Sequence, residues 1–328
     1  MRVYKISALE ANQRLDKYLH KLLKEAGNGF IFKMLRKKNI TLNGKKAAGN
    51  ESLKEGDEIK LFMAEETLDK FMGHSQNVGV NTLEYEKAYQ QFKNSIQIVY
   101  EDENILLLNK PAGILSQKAE EKDLSCNEWL IGYLLHKSEI SALQLNTFKP
   151  SVCNRLDRNT SGLLICGKTL LGSQKMSQMI KDRSIKKFYR TFVKGSFSDK
   201  LHIDGYLKKD KNTNKVSITK DKVPGSDRIE TVFIPLESSK KLSYIEVELI
   251  TGKPHQIRAH IASENHAILG DYKYGDAKFN QNTNRKHQLL HAYRLEFPKI
   301  EGTFANLSEK VFIAKEPPYF EEAKMLLR

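Results

Sequence analysis

Cysteine is scarce in this chain of 328 residues. The three present, Cys126, Cys153 and Cys166, are odd in number and form no C-x-x-C pair. That argues against a disulfide framework and against a cysteine zinc site, and makes a reducing cytoplasm the expected compartment. No run approaches the ~18 consecutive apolar residues of a membrane span. Met1 to His20 mixes charged and apolar residues without the apolar centre of a signal peptide. Neither a membrane nor a secretory route is expected. Internal repeats and low-complexity tracts are missing as well. Positive charge, by contrast, is plentiful: 54 Lys and Arg stand against 40 Asp and Glu, a net +14. Such an excess points to a polyanionic partner, because each phosphate a cation neutralises releases condensed counterions. With 40% hydrophobic residues the chain can bury a proper core, and its length fits two domains.

The first segment, about Glu10 to Phe62, reads as a small α-plus-β module. Leu15, Tyr18, Leu19, Leu22 and Leu23 recur at helical spacing, and after Gly27 and Gly29 comes a second apolar stretch, Phe30 to Leu35. The cationic run Arg36-Lys37-Lys38 follows. Asn43-Gly44 between short β-prone runs predicts a hairpin, since both residues tolerate positive φ. From Ala64 to about Ser95 the pattern weakens, and Gly73-His74-Ser75-Gln76-Asn77 looks like linker. A second domain begins near Ile96, with two strands predicted around the acidic turn Glu101 to Asn104. Ser125-Cys126-Asn127-Glu128 has capping-box spacing and opens a helix through Leu135. Ile245, Val247 and Leu249 alternate as in a half-buried strand.

Two tempting motifs fail on context. Gly162 to Thr169 matches G-x-x-x-x-G-K-T, but its four middle residues are apolar and the residues before it are polar. A phosphate loop needs the reverse, so Leu163 to Cys166 is read as a strand ended by Gly167. His255, His260 and His266 do not have H-E-x-x-H spacing and have no carboxylate or cysteine at ligand spacing, so no metal is expected there. A serine-hydrolase elbow, G-x-S-x-G, is not found.

Three constellations carry chemistry. Asn154-Arg155-Leu156-Asp157-Arg158-Asn159-Thr160-Ser161-Gly162 is a polar turn before an apolar strand. Two arginines flanking Asp157 would favour its ionised form, fit to act as nucleophile or base, though a solvent-exposed Arg–Asp cluster would look the same. Lys187 to Gly195 interleaves aromatics with cations, as suits a surface where a base stacks while cations hold the backbone; an ordinary strand with its aromatics in the core is the plainer alternative. Thr251 to His260 is a turn with Pro254 near a helix start, where His255 and Arg258 would share a face at the positive end of the helix.

Together these segments resemble the RluA family of pseudouridine synthases. Asn154 to Leu164 is similar to that family's H-R-L-D-R-D-T-S-G-L-L, Lys110-Pro111-Ala112-Gly113 to its K-P-x-G, and Thr251 to Gly275 to its T-G-R-T-H-Q-I-R-x-H…G-D-x-x-Y-G. Tyr189 falls where the family has its active-site tyrosine. The first module, with Arg14-Leu15-Asp16 and Gly56-Asp57, resembles an S4 RNA-binding domain. Asn154 replaces the usual His, Asn159 the second Asp, and Lys253-Pro254 an Arg-Thr pair, which puts fine substrate choice in doubt rather than chemistry. The resemblance implies an α+β chain: an S4-like domain at 1–64, a linker at 65–95, and a pseudouridine synthase domain at 96–328 built on a mainly antiparallel mixed sheet. It implies Asp157 as catalytic carboxylate, Tyr189 stacked on a flipped uracil, and Arg258 paired with Asp157. Arg155 would fill the space the base vacates, and Arg158, His255, Arg36, Lys37 and Lys38 would meet RNA. The isomerisation needs no cofactor or metal, and none is expected. Ribosomal RNA of the large subunit is the expected substrate, transfer RNA the second choice, with no obligate protein partner. A non-catalytic, ribosome-associated binding protein of S4 type explains the charge but leaves Asp157, Tyr189 and Arg258 without a purpose.

Overall fold

In the N-terminal sequence, local chemistry sets the turn at Asn43-Gly44. Both residues take positive φ, +51° and +73°, and join β2 (Ile40–Leu42) to β3 (Lys45–Lys46). With β1 (Arg2–Lys5) and β4 (Glu58–Leu61) these strands form an antiparallel sheet in the order β1-β4-β2-β3. Helices α1 (Leu15–Leu22) and α2 (Asn28–Arg36) bury their apolar stripes in one cluster with Ile40, Ile59 and Leu61. The computed structural model describes residues 1–72, 81–210, 213, 215–281, 283 and 285–327.

The stretch 65–95, read from sequence as linker, holds two helices. In α3 (Glu65–Met72), Leu68 and Met72 complete the core of the first module, and Arg2 pairs with Glu65 and Asp69 on it. In α4 (Leu83–Phe92), Tyr85 and Ala88 are buried in the second module instead. Few apolar positions suffice here because each helix covers only one edge of a core. The linker-like Gly73 to Asn77 lies outside the described residues.

In the second module, β5 (Gln97–Glu101) and β6 (Ile105–Lys110) turn at Asp102, whose Oδ1 accepts from the N–H groups of Asn104 and Ile105 at 2.8 Å each. Ser125 caps α5 (Cys126–His136) by accepting from Asn127 N–H at 3.1 Å. There follow β7 (Ser151–Val152), β8 (Ser161–Gly167), α6 (Leu170–Lys181) and β9 (Lys186–Lys194). Next come β10 (Leu201–Lys209), β11 (Val216–Thr219), β12 (Ser226–Ser238) and β13 (Leu242–Leu249). The chain ends with α7 (Gln256–Ser263), α8 (Ala277–Gln281), β14 (Leu290–Glu296), β15 (Val311–Ile313) and α9 (Pro318–Lys324).

Eleven strands make one sheet in the order β11-β10-β12-β13-β9-β14-β8-β6-β5, with β15 beside β14 and β7 beside β8. Among the described residues its strand pairings are antiparallel except β8 with β14, so the fold is α+β on a mainly antiparallel mixed sheet. The segment resembling a phosphate loop is β8, buried along its whole length. The Lys168 ammonium that follows it is bound to Glu101 and Glu139 at 2.6 and 2.7 Å.

Strand β13 departs from the half-buried expectation. Ile245, Val247 and Leu249 do enter the main core, but Leu242 and Tyr244 on the other face are covered too. The cover is α9, whose Phe320 packs in the same cluster, while Glu316 accepts from Arg190 and the Tyr244 hydroxyl. Alternation in one strand reports its polarity and cannot foresee a distant helix closing over the polar side.

Candidate active site

The turn that carries Asp157 is fixed from several directions. Ser116 Oγ donates to the Leu156 carbonyl at 2.9 Å and accepts from Leu156 N–H at 3.0 Å. Lys110, fully buried at the end of β6, donates to the carbonyls of Pro111, Ile114 and Arg158 at 3.0, 2.7 and 3.0 Å. Burial lowers the lysine to about 8, while the nearby Asp157 charge works against that shift. Gly113 N–H donates to the same Arg158 carbonyl at 2.9 Å. The substitute Asn154 accepts from Ile165 N–H at 2.7 Å and so ties the turn to β8. The K-P-x-G segment therefore acts as the brace of the Asp157 turn.

Just after the turn, Gly162 takes φ +109°, and a Cβ there would lie 2.2 Å from the Ala292 carbonyl oxygen. Only glycine lets β8 approach β14 this closely. In register, Gly162 faces Ala292, Ala292 faces Tyr189, and Tyr189 faces Val247. This row carries Tyr189 toward the carboxylate. Its phenol is buried, and burial, followed by the Asp157 charge, raises its pKa well above the ordinary tyrosine value. It is held protonated.

From the opposite side, α7 delivers Arg258. Its Nη1 donates to Asp157 Oδ2 at 2.8 Å. Nε and Nη2 donate to Asp271 Oδ2 and Oδ1 at 2.7 and 3.0 Å, a bidentate pair that is almost entirely buried. Burial by itself would raise the Asp271 carboxyl. The guanidinium and the N–H groups of Lys273 and Tyr274 outweigh it and hold the carboxyl below its usual range. One arginine thus serves two carboxylates: Asp271 is sealed, and Asp157 retains 27% of its side-chain surface open. His255, at the N-cap of α7 with φ +56°, puts Nε2 4.0 Å from Asp157 Oδ2 and Nδ1 2.8 Å from the Tyr274 hydroxyl.

The geometry brings together Asp157, Tyr189, Arg258 and His255, and shows how their neighbours are turned. The cation bound to Asp157 is Arg258; the flanking Arg155 and Arg158 have exposed side chains, because the turn points them outward while its backbone is braced inward. Of the β9 aromatics, Phe188 and Phe192 are core residues of a central strand, and Tyr189, also buried, is the one that feels the Asp157 charge. Arg190 and Arg294 lie over Tyr293 and Phe188 and pair with Glu246 instead. His255 and Arg258 do converge, though His255 does so from a left-handed cap rather than from the helix face. Arg36, Lys37 and Lys38 are exposed at the end of α2 in the other module. His260 and His266 go separate ways, to Thr231 Oγ1 and the Lys194 carbonyl, and among the described residues no cluster of three or more metal-binding side chains forms. Sequence reasoning quoted Gly270-Asp271 without a role for the aspartate; a carboxylate just after a glycine in the segment following Arg258 was the signal available.

A polarised carboxylate open to solvent, a braced turn and a sealed arginine define a site for carboxylate chemistry on a mixed sheet. Residues 104–263 match the family described as RNA pseudouridylate synthase. An RNA pseudouridine synthase of Mycoplasma genitalium is 32% identical over 318 residues, covering 94% of each chain. The ribosomal large subunit pseudouridine synthase C of Rickettsia bellii is 30% identical, covering 94% of this chain and 95% of its own. The corresponding synthase D of Borreliella burgdorferi is 29% identical, covering 94% and 87%. A solved human structure, RNA pseudouridylate synthase domain containing 4, has the same fold, with a TM-score of 0.59 at 20% identity over 75% of this chain and 97% of its own. The chain belongs to the RNA pseudouridine synthase family, whose members isomerise uridine to pseudouridine within RNA, as the RluA resemblance implied.

Proposed function

We propose that this enzyme modifies uridines of large-subunit ribosomal RNA with Asp157 as its catalytic carboxylate. The observation that carries the assignment is the Asp157 carboxylate itself, bound to Arg258 at 2.8 Å on a braced turn and still open to an incoming nucleoside. Pseudouridine formation breaks the N1–C1′ bond, turns the uracil, and joins C5 to C1′. N1 gains the proton that C5 loses, so the balance closes without redox or an external group. Asp157 attacks C1′ or removes a sugar proton, and in either route Arg258 holds the carboxylate in place. Tyr189, protonated, buried and beside the carboxylate, stacks on the flipped uracil. Arg155, exposed on the turn, fills the gap the base leaves, and flipping costs a few kcal/mol. Arg158 meets the RNA backbone.

The names of the Rickettsia and Borreliella relatives support ribosomal RNA over transfer RNA. The first module serves as an S4-like RNA-binding domain, in which Arg36 lines a groove with Phe32, Leu35, Lys46, Ala47 and Glu51, and Lys37 and Lys38 follow it at the exposed end of α2. Incubating the enzyme with ribosomal RNA lacking pseudouridine, then mapping by chemical adduct and primer extension, tests the substrate. New stops in large-subunit RNA are expected. Stops confined to added transfer RNA would overturn the ribosomal assignment.

A further inference from the structure

We propose that His255 is a further catalytic residue: a neutral imidazole whose Nε2–H, fixed in that tautomer by Tyr274, donates to the uracil carbonyl oxygen that gains charge as the N1–C1′ bond breaks. This rests on the reading that Asp157 acts at the sugar. The direction of the hydrogen bonds sets the tautomer. Val216 N–H, at the start of β11, donates to the Tyr274 oxygen at 2.9 Å. The tyrosine oxygen, already accepting from that amide, is best placed to turn its own O–H to His255 Nδ1, 2.8 Å away, which then accepts it. That leaves the imidazole proton on Nε2, the atom 4.0 Å from Asp157 Oδ2. The opposite tautomer would set a bare nitrogen lone pair facing a carboxylate oxygen.

The donor fills a need that Arg258 does not meet. Three of its nitrogens are committed, Nη1 to Asp157 and Nε with Nη2 to Asp271. When the glycosidic bond breaks, its electron pair passes to N1 and delocalises onto the uracil carbonyls. The base at that moment hangs beside C1′, and C1′ or its neighbouring hydrogen lies against Asp157. Nε2 is within a few ångströms of that point, in the same opening. His255 keeps its proton throughout; it stabilises developing charge in the manner of an oxyanion donor. The groups facing the ring are Asp157, Arg258, Asp271, Lys273 and Tyr274. Burial lowers its pKa, Asp157 and Asp271 oppose the shift, and Arg258 and Lys273 add to it, so the net balance favours the neutral ring. The left-handed backbone at φ +56° is the conformation from which this cap residue reaches both partners.

The test uses the full chain labelled with 15N-histidine, the His255 signals being those lost in His255→Gln. At about pH 7 without RNA, Nε2 is expected to be protonated and Nδ1 bare, and Tyr274→Phe to give a mixture of tautomers. In single-turnover assays on ribosomal RNA, His255→Ala is expected to slow pseudouridine formation by about 100-fold with RNA affinity unchanged. His255→Gln, whose amide also donates, should recover part of the loss. A protonated Nδ1 in the wild type, or His255→Ala turning over at the wild-type rate, overturns the proposal. If Asp157→Asn retains activity, the parent reading fails, and the tautomer measurement distinguishes that case because it needs no turnover.

Discussion

At the scale of single residues, the account turns on one guanidinium shared between two carboxylates. Asp271→Asn leaves Arg258 with one ionised partner in a buried position, and unfolding by urea should register a loss of about 3 kcal/mol. The pH dependence has a definite sign. The folded-state carboxyl of Asp271 lies below its unfolded value of about 3.9, so its contribution is present above that value and is lost as pH falls through the folded one. Acid unfolding followed by circular dichroism should therefore show a shallower acid limb in Asp271→Asn than in wild type. Gly162→Ala forces a Cβ against a backbone carbonyl at positive φ, and a loss of about 3 kcal/mol is expected in the same denaturation assay. Asp157 and Arg258 were legible in sequence because their neighbours spell a motif. The link between them came only through the family resemblance, since they lie 101 positions apart and spacing alone cannot show that the sheet brings them together. Arg155 and Arg158 misled for the converse reason: adjacency along the chain says nothing about which way a turn aims its side chains.

At the scale of elements, α2 presents Arg36, Lys37 and Lys38 at its exposed C-terminal end, away from the core formed by Ile31, Met34 and Leu35. Replacing the three cations by Gln should weaken RNA binding and reduce the slope of log affinity against log salt by about 2 to 3, measured by filter binding from low to moderate salt. Turnover at saturating RNA should change little. Local chemistry announced the Asn43-Gly44 turn, the Ser125 cap and the β5–β6 turn, because each depends on residues a few positions apart. Pairings between strands far apart in sequence are another matter. The covering of β13 by α9 and the two helices within 65–95 depend on surfaces made elsewhere in the chain, which periodicity cannot see.

At the scale of the whole molecule, the first module has a core of its own, apart from the clusters that flank the large sheet. The cluster running from Ile6 to Met72 is separate from the main cluster beneath the large sheet. The modules touch where Leu170 N–H donates to the Leu9 carbonyl at 3.1 Å and the Thr147 hydroxyl donates to Glu10. Separate cores joined by few contacts unfold separately, so calorimetry should resolve two transitions, and the Gly162→Ala change should move only the one belonging to the larger module. This arrangement fits the proposal that the first module holds RNA while the second reacts with it. The reaction itself is assigned to Asp157. The direct measurement is release of tritium from ribosomal RNA labelled at uridine C5, comparing wild type with Asp157→Asn at matched RNA occupancy. The account predicts release by the wild type and none by the variant, with RNA affinity nearly unchanged. Equal release by both proteins would contradict it.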